Sequence, residues 1–129
     1  MTPELTALVF ATLLQVVQFT IYSVLANRQV GKETALGPRD EPIHLKGYAG
    51  RAQRAMNNHF EGLTLFTIAA IVVSYADKGT GLTAACGWIY VAARALYVPA
   101  YIFALAPWRS LIWFVGFGAT LLMLLSTLI

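Results

Sequence analysis

The sequence predicts an all-α integral membrane protein, a four-helix bundle whose chain runs up and down through the bilayer. Of its 129 residues, 58% are hydrophobic and only 12% are charged, whereas a soluble domain is about half apolar and about a quarter charged. The apolar residues form four blocks, each near the length of about 20 residues that crosses a bilayer as a helix. Because little chain separates these blocks, we expect one four-span membrane domain over residues 1–129.

The first predicted span, residues 5–26, could be mistaken for a cleaved signal peptide. The segment before it, Met1-Thr2-Pro3-Glu4, is acidic rather than basic. The apolar run is also longer than the ~7–15 residues of a signal-peptide core. We therefore interpret this block as a retained span.

Turn-forming residues delimit the other spans. The "GTG" at 79–81 separates the second span from the third, and Pro107 begins a turn before the fourth. After the first span, "ALGPRDEP" interrupts the helical pattern and predicts an ordered, water-facing loop that folds back over the helix ends. The predicted bounds are 51–76, 82–105 and 110–129 for the spans and 27–47 for the loop.

The positive charges sort by expected membrane side. The net charge is +3, but the cations form no basic tract with exposed aromatics, which argues against nucleic acid as a partner. Arg109 lies between the third and fourth spans, whereas the turn after the second holds only Asp77 and Lys78. Because positive loops stay in the cytoplasm, we expect both termini outside and the loop 27–47 inside. The cations that follow the first span are Arg28, Lys32, Arg39, Lys46, Arg51 and Arg54.

The second span begins with a polar stripe. At about 100° per residue, its four strongly polar side chains share an arc of about 80°. His59 lies on another face and is interpreted as an ordinary helix-surface residue, and His44 as a loop residue. The stripe consists of Arg51, Arg54, Asn58 and Glu61.

Two further spans carry narrow polar faces. A charge at the membrane centre costs at least about 2.5–3.5 kcal/mol, so these faces should turn from lipid and converge on a shared interior. We expect Glu61 and Arg94 to face each other as a pair, because a buried charge needs a partner. The polar residues are Gln15, Gln18 and Tyr22 in the first span and Tyr90, Arg94, Tyr97 and Tyr101 in the third.

Simpler interpretations stay open for these residues. Polar side chains often only hold membrane helices together, and Tyr90 could belong to an interfacial aromatic belt. The single cysteine, Cys86, permits no internal disulfide and fits a small buried hydrophobe. No Cys/His spacing predicts a metal site, and no catalytic triad or phosphate-binding loop is present. The arginines gathered near the cytoplasmic mouth do, however, suit an anionic ligand.

A motif in the second span resembles the signature of the MAPEG family, the membrane-associated proteins in eicosanoid and glutathione metabolism. The motif is Arg54-Ala55-x-x-Asn58-x-x-Glu61, with Arg51 before it and Phe66 after it. The similarity continues at Arg94, Tyr97 and Tyr101 and at Pro107-x-Arg109-Ser110. Together with the four-span layout it covers the whole chain, and we take the chain for a bacterial, microsomal glutathione transferase-like member of the inner membrane.

The resemblance implies a homotrimer that binds glutathione between subunits on the cytoplasmic side. In the matching positions, Arg109, Ser110 and Tyr101 are the candidates nearest the thiol. Glutathione would be the co-substrate, and a lipophilic electrophile or hydroperoxide would arrive through the bilayer. The implied glutathione-binding residues are Arg51, Arg54, Asn58, Glu61, Arg94, Tyr97 and Tyr101.

Three functions are compatible with this sequence. The first is a membrane-bound glutathione-dependent transferase or peroxidase. The second is a non-catalytic lipid-binding or accessory membrane subunit of the same fold. The third is a small proton-coupled exporter, suggested by the intramembrane Glu61, although the neighbouring cations argue against a freely cycling proton carrier there.

Overall fold

The computed structural model describes residues 1–31, 36–38 and 43–129, and these ranges form an all-α four-helix bundle without strands. The predicted fold class is confirmed. The four helices are α1 (Pro3–Val30), α2 (Gly47–Tyr75), α3 (Gly81–Ile102) and α4 (Trp108–Ser126). Part of the predicted loop, including Lys32, Arg39 and the turn at 40–42, lies outside the described residues.

Contacts at the two ends of the bundle show that α1 and α2 run in opposite directions. At one end, the Thr2 and Ser74 hydroxyls lie 2.6 Å apart, joining the start of α1 to the end of α2. At the other end, Gln29 exchanges two hydrogen bonds of 2.8 Å with the backbone of Lys46, just before α2 begins. Helices α2 and α3 are central, since α1 and α4 each pack against both of them.

Small side chains allow the helices to approach closely. Ala7, Ala11, Ala69 and Ala70 are fully buried, as is typical of interfaces between membrane helices. Aromatic stacking adds to this core, because the Phe66 ring lies 4.0 Å from the parallel Tyr90 ring.

Among the described helices, α1, α3 and α4 are long and apolar enough to cross a membrane. The first half of α2 is polar, with "GRAQRAMNNHFEG" at 50–62. This half contacts α1 through the hydrogen bond from Gln15 to Met56 and α3 through that from Arg94 to Asn58. Within the polar stripe, Arg51 and Asn58 are half-buried, whereas Arg54 and Glu61 are exposed in the single chain.

Candidate functional site

The polar faces of α2 and α3 meet at the end of the bundle where α2 and α4 begin. Arg94 Nη1 donates to Asn58 Oδ1 at 3.0 Å. Nearer the mouth, Arg54 Nε donates to the Tyr101 hydroxyl at 3.3 Å. The convergence predicted for these two helices is therefore observed.

Aromatic rings form one wall of this region. The Arg94 guanidinium lies 4.3 Å from the centre of the Tyr97 ring, and the Arg109 guanidinium lies 4.7 Å from that of Tyr101. The two tyrosine rings are 5.7 Å apart. Cation–π contacts of this kind hold a guanidinium against a ring while leaving its edge available for hydrogen bonds.

The mouth contains a cavity of about 250 Å³, which we call the outer cavity. The outer cavity is lined by α4 and by the polar faces of α2 and α3. Arg109, which is half-buried, contributes a positive charge to its wall. Such a lining can accept an anionic ligand and also offers hydroxyl donors. The lining residues are Asn58, Tyr97, Tyr101, Arg109, Ser110, Trp113 and Phe114.

A second cavity of about 140 Å³, the inner cavity, lies deeper in the bundle and shares Asn58 and Trp113 with the outer one. Its wall combines charged side chains with the apolar Leu65 and Phe117. Two buried polar atoms on lining residues, Arg94 Nη2 and the Tyr90 hydroxyl oxygen, have no hydrogen-bond partner among the described residues. Buried polar groups are usually satisfied, so these atoms mark a place where a polar ligand or water can bind. The charged and polar lining residues are Asn58, Glu61, Tyr90, Arg94 and Thr120.

Comparison with protein families identifies the chain. The model of the MAPEG family matches residues 5–129, essentially the whole sequence. The chain belongs to the MAPEG family. Members of this family are glutathione-dependent transferases or peroxidases, or accessory proteins. Comparisons with curated proteins and with solved structures gave no match.

One candidate ligand residue of this MAPEG chain has a structural contact that the sequence did not reveal. Arg51 Nε donates to the Ile102 carbonyl oxygen at 2.6 Å. Ile102 ends α3, where carbonyl groups lack partners within the helix and a cation is favourable. The Arg51 guanidinium also lies 5.0 Å from the Tyr48 ring, so it ties the start of α2 to the end of α3.

Glu61 and Arg94 do not form the expected pair among the described residues. Both residues line the inner cavity, but the described hydrogen bonds of Arg94 go to Asn58 and His59. Glu61 is exposed in the single chain. Asn58, one turn nearer the mouth on α2, accepts from Nη1 instead.

The interpretation of His59 as a helix-surface residue is also wrong. Its side chain is 0% exposed and bridges α1 and α3, with Nε2 3.1 Å from the Ala11 carbonyl oxygen. Tyr90 is buried too, at 2% exposure, rather than placed in an interfacial belt. The wheel position of His59, on another face of α2 than the polar stripe, could have indicated a contact with another helix.

The polar face of α1 does not join the cavities. Gln15 donates to the Met56 carbonyl oxygen of α2 at 3.3 Å, and Gln18 bonds to Gln15 at 3.4 Å. Neither glutamine lines the inner or outer cavity. The simpler interpretation therefore describes Gln15, which holds α1 against α2, while Gln18 bonds to Gln15 from within α1.

Proposed function

We propose that this protein is a membrane-bound glutathione-dependent transferase or peroxidase that acts on lipophilic electrophiles or hydroperoxides. The observation that supports this best is the outer cavity, where Arg109 and Ser110 lie beside Tyr97 and Tyr101. The resemblance to the MAPEG motif places these four residues at the glutathione site. The cavity thus provides a cation and hydroxyl donors where a thiol would need activation.

The charges near the two cavities suit a small zwitterionic peptide. Glutathione carries two carboxylates and one ammonium group. Arginine binds carboxylates with two parallel donors, and Arg54 and Arg109 lie at the mouth while Arg94 lies deeper. Glu61, on the wall of the inner cavity, offers an acceptor to the ammonium group. The tripeptide would then span both cavities.

The exposure of the site favours an assembly of several subunits. Glu61, on the wall of the inner cavity, is exposed in the single chain, although a charge that faces lipid is costly. A neighbouring chain would complete the wall of the cavity. We accordingly propose a homotrimer, as in the family, with the site on the cytoplasmic side and both termini outside. In a bacterium this would be the inner membrane.

The proposed chemistry starts from the glutathione thiolate. A free thiol has a pKa of about 8.5, and a neighbouring cation lowers that value, which is the role we assign to Arg109. The thiolate sulfur attacks an electrophilic carbon, a C–S bond forms, and the electron pair moves to the leaving group or to a carbonyl oxygen. Ser110 or Tyr101 would donate a hydrogen bond to the developing charge.

With a hydroperoxide, the same thiolate would attack the terminal oxygen. The O–O bond breaks, an alcohol leaves after taking up a proton, and the sulfur becomes a sulfenic acid. A second glutathione thiol then forms the disulfide and releases water. This reaction needs no group beyond two glutathione molecules and the peroxide.

The test compares glutathione binding, thiolate formation and turnover in detergent. We expect calorimetry to detect glutathione binding to the wild-type protein and ultraviolet absorbance to detect bound thiolate. Arg109→Ala should retain binding but lose the thiolate band and at least about tenfold in kcat with a generic electrophile. Lys78→Ala, in the turn at the opposite end of the bundle, is the matched control and should behave as wild type.

Two outcomes would count against this proposal. Absence of glutathione binding to the wild-type protein would reject it outright. Unchanged thiolate and turnover in Arg109→Ala would reject the role of that arginine.

The apolar part of the inner cavity favours one alternative, a lipid-binding accessory subunit. Leu65, Trp113 and Phe117 offer an apolar wall, and Phe117 is 40% exposed in the single chain. Binding of glutathione without turnover of electrophiles or hydroperoxides would support this alternative over the enzyme.

A further inference from the structure

His59 lies between two helices and next to the buried Arg94. Its ring is fully buried, with Nε2 3.1 Å from the Ala11 carbonyl oxygen of α1. On the other side, Arg94 Nε donates to Nδ1 at 3.5 Å. The ring therefore connects α1 to α3 through α2.

The two partners of the ring determine which nitrogen carries the proton. A carbonyl oxygen only accepts hydrogen bonds, so Nε2 must carry a hydrogen. Arg94 Nε–H only donates, so Nδ1 must be an unprotonated acceptor. Both requirements are met by a single form, the neutral ring protonated at Nε2.

Three contacts fix the orientation of the Arg94 guanidinium. His59 accepts from Nε, Asn58 accepts from Nη1, and the Tyr97 ring lies against the guanidinium at 4.3 Å. Nη2 has no described partner while Arg94 lines the inner cavity. With two of its nitrogens engaged, Nη2 is the guanidinium nitrogen without a hydrogen-bond partner among the described residues.

We propose that His59 is a positioning residue, which orients Arg94 so that Nη2 is presented to an anionic group of the ligand in the inner cavity. His59 itself touches no ligand. The identity of that ligand as glutathione rests on the proposed function, whereas the link from His59 to Arg94 does not. The Ala11 carbonyl oxygen accepts from the ring at Nε2. The ring accepts from Arg94 Nε at Nδ1, and Asn58 accepts from Arg94 Nη1.

Two substitutions separate the two sides of the ring. In His59→Asn, the amide oxygen can occupy the position of Nδ1 and still accept from Arg94, while the bond to Ala11 is lost. In His59→Gln, the longer amide can reach the Ala11 carbonyl, while the acceptor for Arg94 is lost. Each variant gives up one hydrogen bond, so their melting temperatures serve as a matched control.

We expect glutathione to bind His59→Asn with a Kd within about threefold of wild type and His59→Gln with a Kd raised about tenfold, because a hydrogen bond to a charged group is lost. The melting temperatures of the two variants should be similar. A purely structural role predicts instead that affinity follows melting temperature. Equal Kd values for the two variants, or tighter binding by His59→Gln, would overturn the proposal.

A second measurement needs neither glutathione nor a folded variant of His59. With ¹⁵N-labelled histidine, the wild-type ring should show a protonated Nε2 and an unprotonated Nδ1; only one other histidine, His44, needs assignment. Arg94→Met should shift the Nδ1 resonance and leave Nε2 unchanged. A proton on Nδ1, or an Nδ1 resonance insensitive to Arg94→Met, would overturn the link. Failure of glutathione binding by wild type, with these signals as expected, would reject the proposed function alone.

Discussion

The arginines near the cavities differ in how far their guanidinium groups are already engaged. Arg94 is 2% exposed and held by Asn58, His59 and Tyr97. Arg51 Nε donates to the Ile102 carbonyl oxygen at the end of α3. Arg109 contacts the face of the Tyr101 ring, which leaves its donors for other partners. A preorganised donor costs less entropy on binding, which fits the ligand-binding role proposed for Arg94, while Arg109 keeps its donors for the thiolate contact proposed for it.

Substitution of Arg51 should affect stability more than ligand binding. In Arg51→Ala the Ile102 carbonyl loses its donor and the end of α3 loses a favourable cation. We expect a melting temperature lower by several degrees in detergent, with a smaller loss of glutathione affinity than in Arg94→Ala. Arg54→Ala, whose side chain is exposed, is the control and should melt near wild type. The assignment fails if Arg51→Ala melts as wild type and loses binding.

At the scale of elements, the start of α2 depends on a close backbone approach. A Cβ atom added at Gly50 would lie 2.7 Å from the Leu45 carbonyl oxygen, a distance that requires the backbone to move. The chain entering α2 therefore turns tightly against the first helical turn. This turn precedes Arg51 and Arg54, so its geometry also sets where the polar stripe begins.

Gly50→Ala should destabilise the protein by about 1–3 kcal/mol, because the added methyl group displaces backbone. Gly118 in α4 is the matched control, since a Cβ there meets nothing within 4 Å. Gly118→Ala should leave stability unchanged or raise it by up to about 1 kcal/mol, as alanine favours helix. Unfolding of the purified proteins by a denaturing detergent measures both. Equal stability of the two variants would show that the Leu45 segment adjusts freely.

The start of α3 shows how caps and tertiary contacts combine. Thr80 and Thr83 form a reciprocal capping box, and the Thr83 hydroxyl also donates to the buried Glu4 carboxylate of α1. The carboxylate thus lies at the positive end of α3. An acidic residue that the sequence places before a span becomes, in the bundle, a link between two helices.

At the scale of the whole molecule, the distribution of cations predicts the orientation in the membrane. The sole cysteine, Cys86, is buried, so Cys86→Ser provides a background for labelling. Cysteine introduced at Lys78 should react with an impermeant maleimide added outside intact bacterial spheroplasts. Cysteine introduced at Ala106, in the turn before α4, should react only after lysis. The reverse pattern would contradict the proposed orientation and place the cavities on the outer side.

The fold could be predicted from the sequence because hydrophobic blocks and turn residues are local signals. The four helices lie close to the predicted spans, although α1 continues to Val30 and α2 begins at Gly47. The polar stripes of α2 and α3 could also be predicted from the sequence, because periodicity shows which side chains share a face. Helical periodicity cannot show, however, which residue of one stripe reaches which residue of the next.

The sequence by itself determined the helices, their apolar lengths, their polar faces and the motif of the family, since each depends on residues within a few turns of one another. Only the tertiary structure decided that Arg94 bonds to Asn58 and His59 rather than to Glu61. It also decided that Arg51 donates to the carbonyl at the end of α3 and that Gln15 holds α1 to α2. These choices depend on the axial offset between helices and on side-chain length. Such distances arise only when the helices pack.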